Sequence, residues 1–293
     1  MKKMFYYMFA AALSVSLLAC EDNGKDDDLT PPTEQPSSPD DESNPGDEEN
    51  PGDESDEPSI AVKNINTIVI DDHAKKGFYR QIDLEWSGDR VVSFRVAEFS
   101  DRGAQGEPLE AFVEYDETTV VVSYDNLSIG VPYQVKYELN DEGYAVSAEV
   151  IDVTPGWDPW VESSSVYSYT DGMLSDISTT SGFGDPLLGF STVCANGNWT
   201  AFDIDGDNYP CEFSDAWNER RLDLNMLMIV YCYFNGAYTD DVNFAVLCGL
   251  FPSTTNLMSM LSGSELTWKY DENNCLVGVQ SDELNVNITF TAN

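Results

Sequence analysis

The sequence predicts an all-β domain, an antiparallel meander of hairpins, and three observations carry that prediction. Apolar and polar residues alternate with period two along much of the chain after Ser59. Asn-Gly and Asp-Gly pairs, which supply the positive backbone angles of tight hairpins, recur between those runs. The residues ahead of this region have a different composition altogether, an apolar leader followed by an acidic spacer.

The leader begins with Lys2 and Lys3 and runs apolar from Met4 to Leu18, without a charge before Leu17-Leu18-Ala19-Cys20. Residues 1–19 thus have the anatomy of a signal peptide. The apolar run falls short of the about 20 residues a spanning helix needs. The Leu-Leu-Ala-Cys junction resembles a bacterial lipobox, in which the cysteine thiol takes a diacylglyceryl group and becomes the first mature residue. Cys20 is the predicted lipidation site; an uncut anchor with an incidental cysteine is the alternative. Several acyl chains of the palmitate kind, at about 0.8 kcal/mol per buried methylene, hold a protein persistently. A membrane, reached through lipid on Cys20, is the first predicted partner, and the outer membrane is the predicted location.

Residues 20–59 form the predicted tether. From Glu21 to Ser59 there are sixteen Asp or Glu, one Lys and almost no apolar side chains. Such a stretch cannot bury enough surface to fold. It repeats Asn44-Pro-Gly-Asp-Glu-Glu as Asn50-Pro-Gly-Asp-Glu-Ser, and like charges on a Pro-rich chain keep it extended. A solvated spacer is the reading, with cation binding by the acidic run as the alternative. Lys25-Asp26-Asp27-Asp28 resembles the short signal that sends Bacteroidota-type lipoproteins to the cell surface, which makes surface exposure an expectation.

From Ile60 onward 37 acids face 11 bases. No basic patch is available to release counterions from phosphates, so nucleic acid is excluded as a partner. The partner expected of so acidic a domain is neutral or cationic.

Period two marks the strands in order. Ile82, Leu84 and Trp86 alternate with Gln81, Asp83 and Glu85; Tyr133, Val135, Tyr137 and Leu139 alternate with Gln134, Lys136 and Glu138. Leu284, Val286, Ile288 and Phe290 close the chain in the same manner. Between strands stand Trp86-Ser-Gly-Asp-Arg-Val, Tyr137-Glu-Leu-Asn-Asp-Glu-Gly-Tyr, Tyr169-Thr-Asp-Gly-Met-Leu, Ala195-Asn-Gly-Asn-Trp and Tyr270-Asp-Glu-Asn-Asn-Cys-Leu. An aromatic entering the turn and an aliphatic leaving it can pair across the hairpin. Leu222 to Phe234 departs from alternation: apolar on both faces in its later part, it reads as a strand covered on both sides. Its cover is predicted to be one short helix near residues 241–249, with acids at its start, Gly249 at its end and Pro252 beyond. The domain is bounded as 60–293, with a subdivision near 154–161 left open.

Several of these segments carry a family resemblance. Tyr-x-Tyr-x-Asp-Gly-x-Leu at Tyr167 to Leu174, Leu222-Asp-Leu-Asn-Met-Leu, Cys248-Gly-Leu-Phe251, Thr255-Asn-Leu-Met-Ser-Met-Leu261 and the closing hairpin at Tyr270 resemble Bacteroidota lipoproteins with a domain of unknown function, porin-like in fold. The match is best from Ser165 to Asn293, with Met258 where proline is usual and Asn274 where glycine is common. The resemblance implies a strongly curved antiparallel sheet or half-barrel and supplies no functional residue. Asp83, Glu85, Glu114, Lys136 and Glu138 on the outward face argue for a soluble curved sheet or half-barrel rather than a lipid-facing barrel.

Candidate chemistry is sparse. Cys194, Cys211, Cys232, Cys248 and Cys275 are odd in number and match no zinc spacing; Cys232 and Cys248 read as buried small hydrophobes, and Cys194 and Cys211, flanking a hairpin, can pair. His73 is the only histidine and reads as an exposed loop residue. Asp203, Asp205 and Asp207 have the spacing of calcium ligands, but the twelfth position is Ser214 rather than a bidentate Glu, so a plain hairpin turn competes with a calcium site. Trp157 and Trp160, in a loop beside carboxylates, suit stacking on sugar rings; alternatively they plug the end of the sheet. No nucleophile elbow, phosphate loop or zinc constellation appears, so no catalytic residue is assigned. The prediction is a non-catalytic surface lipoprotein that binds a glycan or protein. A periplasm-facing assembly accessory is the alternative, and a hydrolase using a carboxylate pair ranks below both.

Overall fold

In a computed structural model, residues 64–72, 77–126, 130–218, 222–233, 239–273, 275–281 and 286–292 are described. The signal peptide, Cys20, the tether with Lys25 to Asp28, His73 and Asn274 lie outside the described residues.

Eighteen strands form among the described residues. The first half comprises β1 (Ile65–Asp72), β2 (Tyr79–Ser87), β3 (Arg90–Ser100), β4 (Gly103–Ala104), β5 (Leu109–Tyr115), β6 (Thr119–Asn126), β7 (Val131–Leu139), β8 (Ala145–Asp152) and β9 (Trp160–Thr170). The second comprises β10 (Met173–Ser181), β11 (Pro186–Ala195), β12 (Asn198–Ile204), β13 (Asp207–Trp217), β14 (Asn256–Leu261), β15 (Ser264–Glu265), β16 (Thr267–Tyr270), β17 (Leu276–Ser281) and β18 (Val286–Ala292). Between β13 and β14 lie α1 (Leu224–Leu227), a π-helical turn (Met228–Tyr233) and α2 (Asp240–Cys248).

The pairings are antiparallel and almost all between sequence neighbours, the two-residue β4 being a spur on β3 beside the β3–β5 ladder. β1 pairs with β2 on one side and β18 on the other, so the sheet curls until its two ends meet. The curvature expected of a half-barrel therefore goes further, to a nearly closed barrel. β8 and β9 pair directly, so the sheet runs unbroken past residues 154–161. All five hairpins anticipated from turn chemistry form; Asp171-Gly172 and Asn196-Gly197 have positive φ at both central positions (53° and 75°, 54° and 74°), the requirement of a type I′ turn.

Alternation decides which side faces in. Ile82 and Leu84 on β2, Tyr133, Val135 and Tyr137 on β7, and Ile288 and Phe290 on β18 are all buried. Charges face out. Asp83, Arg95 and Glu110 stand in register across β2, β3 and β5, with Arg95 at 3.7 Å from Asp83 and 3.8 Å from Glu110, and Lys136 holds Glu138 at 2.7 Å on β7. On these strands the polarity is the reverse of a lipid-facing barrel. No helix among the described residues is long and apolar enough to cross a membrane.

The segment read as a doubly covered strand is instead helical. Leu222, Leu224, Met226 to Tyr231, Val242 and Phe244 to Leu247 are buried within the same core as the strands. A run buried on all sides looks alike as helix or strand, because periodicity vanishes when no face meets water. The expected helix forms as α2 and ends at Gly249, whose φ of 66° is the left-handed cap a side chain disfavours. Together the helical pieces plug the barrel. Asp223 caps α1 by accepting from the Asn225 and Met226 amides at 2.9 and 3.3 Å. Asn225 stitches α1 to the wall: its amide nitrogen donates to Thr254 Oγ1 (2.6 Å) and the Asn256 carbonyl (2.7 Å), and its oxygen accepts from the Met258 amide (2.8 Å). At the start of α2, Tyr137 donates to the Asp241 carbonyl (2.5 Å) and Tyr167 to Asp241 Oδ2 (2.6 Å).

Cys194, Cys211, Cys248 and Cys275 are free. Cys194 and Cys211 lie on β11 and β13 with β12 between them. Two strand spacings, about 9.5 Å, exceed the reach of a disulfide, so the pairing anticipated for them does not form.

Candidate functional site

Strict antiparallel order sends every second connection to the same rim. One rim carries the β3–β5, β8–β9, β10–β11 and β12–β13 connections; Asn64 and the β2–β3 turn, joined by the Asn64 side chain donating to the Gly88 carbonyl at 3.1 Å, lie at the other.

The β8–β9 loop on the first rim is built from its sequence outward. Asp152 Oδ1 accepts from the Thr154 amide (2.8 Å) and hydroxyl (2.6 Å), bonds that hold its carboxyl below the usual range. Thr154-Pro155-Gly156-Trp157 then forms a turn in which Trp157 N donates to the Thr154 carbonyl at 3.3 Å. Pro155 fixes its own φ, and Gly156, at φ 89°, takes the position that needs a left-handed residue. Trp157 emerges 80% exposed, and Trp160, at the first position of β9, is 45% exposed. These rings do not plug the sheet.

A third aromatic joins them. Ser181 Oγ accepts from the Phe183 and Asp185 amides (3.3 and 3.1 Å), and the Ser181 carbonyl accepts from Gly184 N (2.8 Å). That turn projects Phe183, 84% exposed, to 5.5 Å between ring centroids from Trp160. The approach depends on Gly182: a Cβ there would lie 2.0 Å from the Val161 carbonyl oxygen and 3.3 Å from the Trp160 ring. Asp158, Glu162 and Asp185 stand exposed beside the rings. Phe183 and Gly182 were not singled out from sequence, although an aromatic between two glycines in a polar turn is the same signal that marks Trp157.

The β12–β13 turn is a two-residue hairpin, Asp205-Gly206, with φ of 52° and 97°. Asp203 Oδ1 accepts from the Gly206 amide and Asp205 Oδ1 from the Gly189 amide, each at 2.8 Å. Two of the three carboxylates of the calcium reading are thus turned onto backbone. Among the described residues no three His, Cys, Asp or Glu side chains gather as a metal would require.

The same rim holds a cavity of about 290 Å³ between the plug and the wall formed by β2, β3 and the approach to β5. Arg80, Glu98, Gln105, Glu107, Tyr231, Asp240 and Phe244 contribute to its lining. Arg80 is in phase with Ile82 and Leu84 and so faces inward, where its Nη2 meets Glu98 Oε1 at 2.8 Å. Asp240 accepts from the Tyr124 hydroxyl at 2.5 Å. Burial raises the Asp240 carboxyl above the ordinary carboxylate range, the Tyr124 bond opposes, and neighbouring Asp241 adds to the rise.

Eighteen strands paired in sequence around a helical plug can be compared with solved structures. The fold is porin-like. A porin-like protein from Bacteroides uniformis matches with a TM-score of 0.54 at 12% identity, over 79% of this chain and 98% of that one. A porin-like protein from Bacteroides vulgatus matches with a TM-score of 0.49, also at 12% identity, over 79% of this chain and 99% of that one. No protein-family model matches the chain, and no curated protein does. The porin-like fold expected from the resemblance is therefore found, at a sequence identity that speaks to fold alone.

Proposed function

We propose that this chain is a lipoprotein anchored in the outer membrane through Cys20, displayed at the cell surface, whose barrel is non-catalytic and holds an extracellular glycan on Trp157, Trp160 and Phe183. The observation that carries this reading is the rim itself. Large rings left in water by turns that leave them little freedom suit a flat, partly apolar ligand, because little ordering entropy is lost on binding. Sugar rings offer such faces, and the carboxylates alongside can accept from their hydroxyls. The Cys20 anchor and Lys25 to Asp28 support the location.

The test is a glycan array probed with the full chain, with calcium and with chelator. A Trp157→Ala/Trp160→Ala variant is expected to lose roughly tenfold or more in binding, since each stacked ring contributes on the order of 1 kcal/mol. Equal binding by the variant would remove the rim from the mechanism, and binding abolished by chelator would return Asp203, Asp205 and Asp207 to consideration. Protease shaving of intact cells tests display: loss of the barrel is expected, and full protection would turn the reading to a periplasm-facing accessory.

A further inference from the structure

The cavity beside the plug has the make-up of a ligand site rather than of a packing defect. Its polar lining is charged and held from behind: Arg80 by Glu98 at 2.8 Å, and Asp240 by the Tyr124 hydroxyl at 2.5 Å. Its apolar lining is equally fixed. Tyr231 donates to the Asn243 carbonyl at 3.0 Å, and the Phe244 ring lies 5.0 Å from Phe94 and 4.9 Å, edge on, from Tyr124. Side chains locked by their neighbours form a pocket that need not reorganise on binding.

The lining also selects the ligand's chemistry. Arg80 and Glu98 offset one another, and Asp240 is already engaged by the Tyr124 hydroxyl, so Glu107 at the mouth is left as the lining carboxylate without a side-chain partner. Such balance favours a neutral ligand over an ion. Guanidinium, carboxyl and amide groups opposite aromatic rings match a molecule with hydroxyls on its edge and carbon on its face. A cavity near 290 Å³ suits one small ring.

We propose that the cavity between α2 and the β2–β3–β5 wall is a monosaccharide subsite, in which Arg80, Gln105, Glu107 and Asp240 hydrogen-bond the hydroxyls of a neutral sugar unit against Tyr231 and Phe244. The choice of sugar rests on the glycan reading above. Four strand spacings separate β5 from β9, roughly 20 Å along the rim. One oligosaccharide can therefore lie across Trp157 and Trp160 and place a unit in the cavity.

Saturation-transfer NMR on the full chain, with glucose, galactose, mannose, N-acetylglucosamine and, as a cationic probe, lysine amide at millimolar concentration, tests this. At least one sugar is expected to give a signal that falls fivefold or more in Arg80→Gln. The same loss is expected in a Gln105→Ala/Glu107→Gln variant, whose positions are exposed and leave the core intact. Both losses are expected again when repeated in the Trp157→Ala/Trp160→Ala background, which removes the rim and so separates this site from it. No signal from any of the four sugars, a sugar signal that survives the Gln105/Glu107 variant, or a signal from lysine amide alone overturns the proposal. The rim reading would stand or fall separately on the array.

Discussion

Asp240 couples the plug to pH. Its carboxyl, raised by burial, binds a proton more tightly in the folded chain than in the unfolded one. Between the ordinary carboxylate value and the raised one, the folded state therefore holds more protons. Its stabilising contribution is complete below the ordinary value and is lost as pH rises through the raised one. Asp223, also raised by burial although amides from Thr254, Met226 and Asn225 oppose the rise, acts in the same direction at the base of the plug. Asp240→Asn keeps an acceptor for Tyr124 and removes the titration. Its thermal midpoint is expected to fall less than the parent's as pH rises above the ordinary carboxylate value of about 4, as read by scanning calorimetry. Parallel curves for the two proteins would assign the pH dependence to the many surface acids instead.

At the scale of elements, Asn225 shows how a helix is fastened inside a barrel. All three of its side-chain hydrogen bonds reach residues 254–258, the segment that leads into and forms the first half of β14. Asn225→Ala takes the acceptor from the buried Met258 amide and one of two donors from the part-buried Asn256 carbonyl, at a cost of about 1–3 kcal/mol for a buried group left unsatisfied. A drop of that order in the urea unfolding free energy is expected, and a change under half a kcal/mol would mean that water replaces the side chain. Strands proved legible because each has a wet face. Tyr133, Val135 and Tyr137 announce their direction by contrast with Gln134 and Lys136. The plug was illegible for the converse reason: Met226 to Val230 are buried on every side, so a helix was read as a strand. Trp157 and Trp160 were found because tryptophan between proline and aspartate is conspicuous. The cavity was not, since Arg80 and Asp240 are 160 positions apart and only ring closure brings them together. In hindsight, Arg80 in phase with Ile82 and Leu84 was the available clue, a charge on a buried face.

Over the whole molecule, the β1–β18 pairing does what edge protection must do in open sheets: it leaves neither β1 nor β18 as an edge on which a second chain could add. Opening the ring should expose both the edge and the core. A chain truncated after residue 281, lacking β18, is expected to aggregate or to bind a hydrophobic dye. A monomeric truncated chain with native near-ultraviolet dichroism would show that the seam is dispensable.

The seam also orders events in time. Each hairpin joins neighbours and can zip as soon as its two strands exist, but β1 waits for β18, whose residues lie more than two hundred positions later. A chain that emerges amino terminus first has every other strand, and the plug they must enclose, available before the strand that seals them arrives. Completion is thus postponed until β18 has appeared. Until that strand arrives the hairpins and the plug remain separable pieces, and its arrival makes them one body.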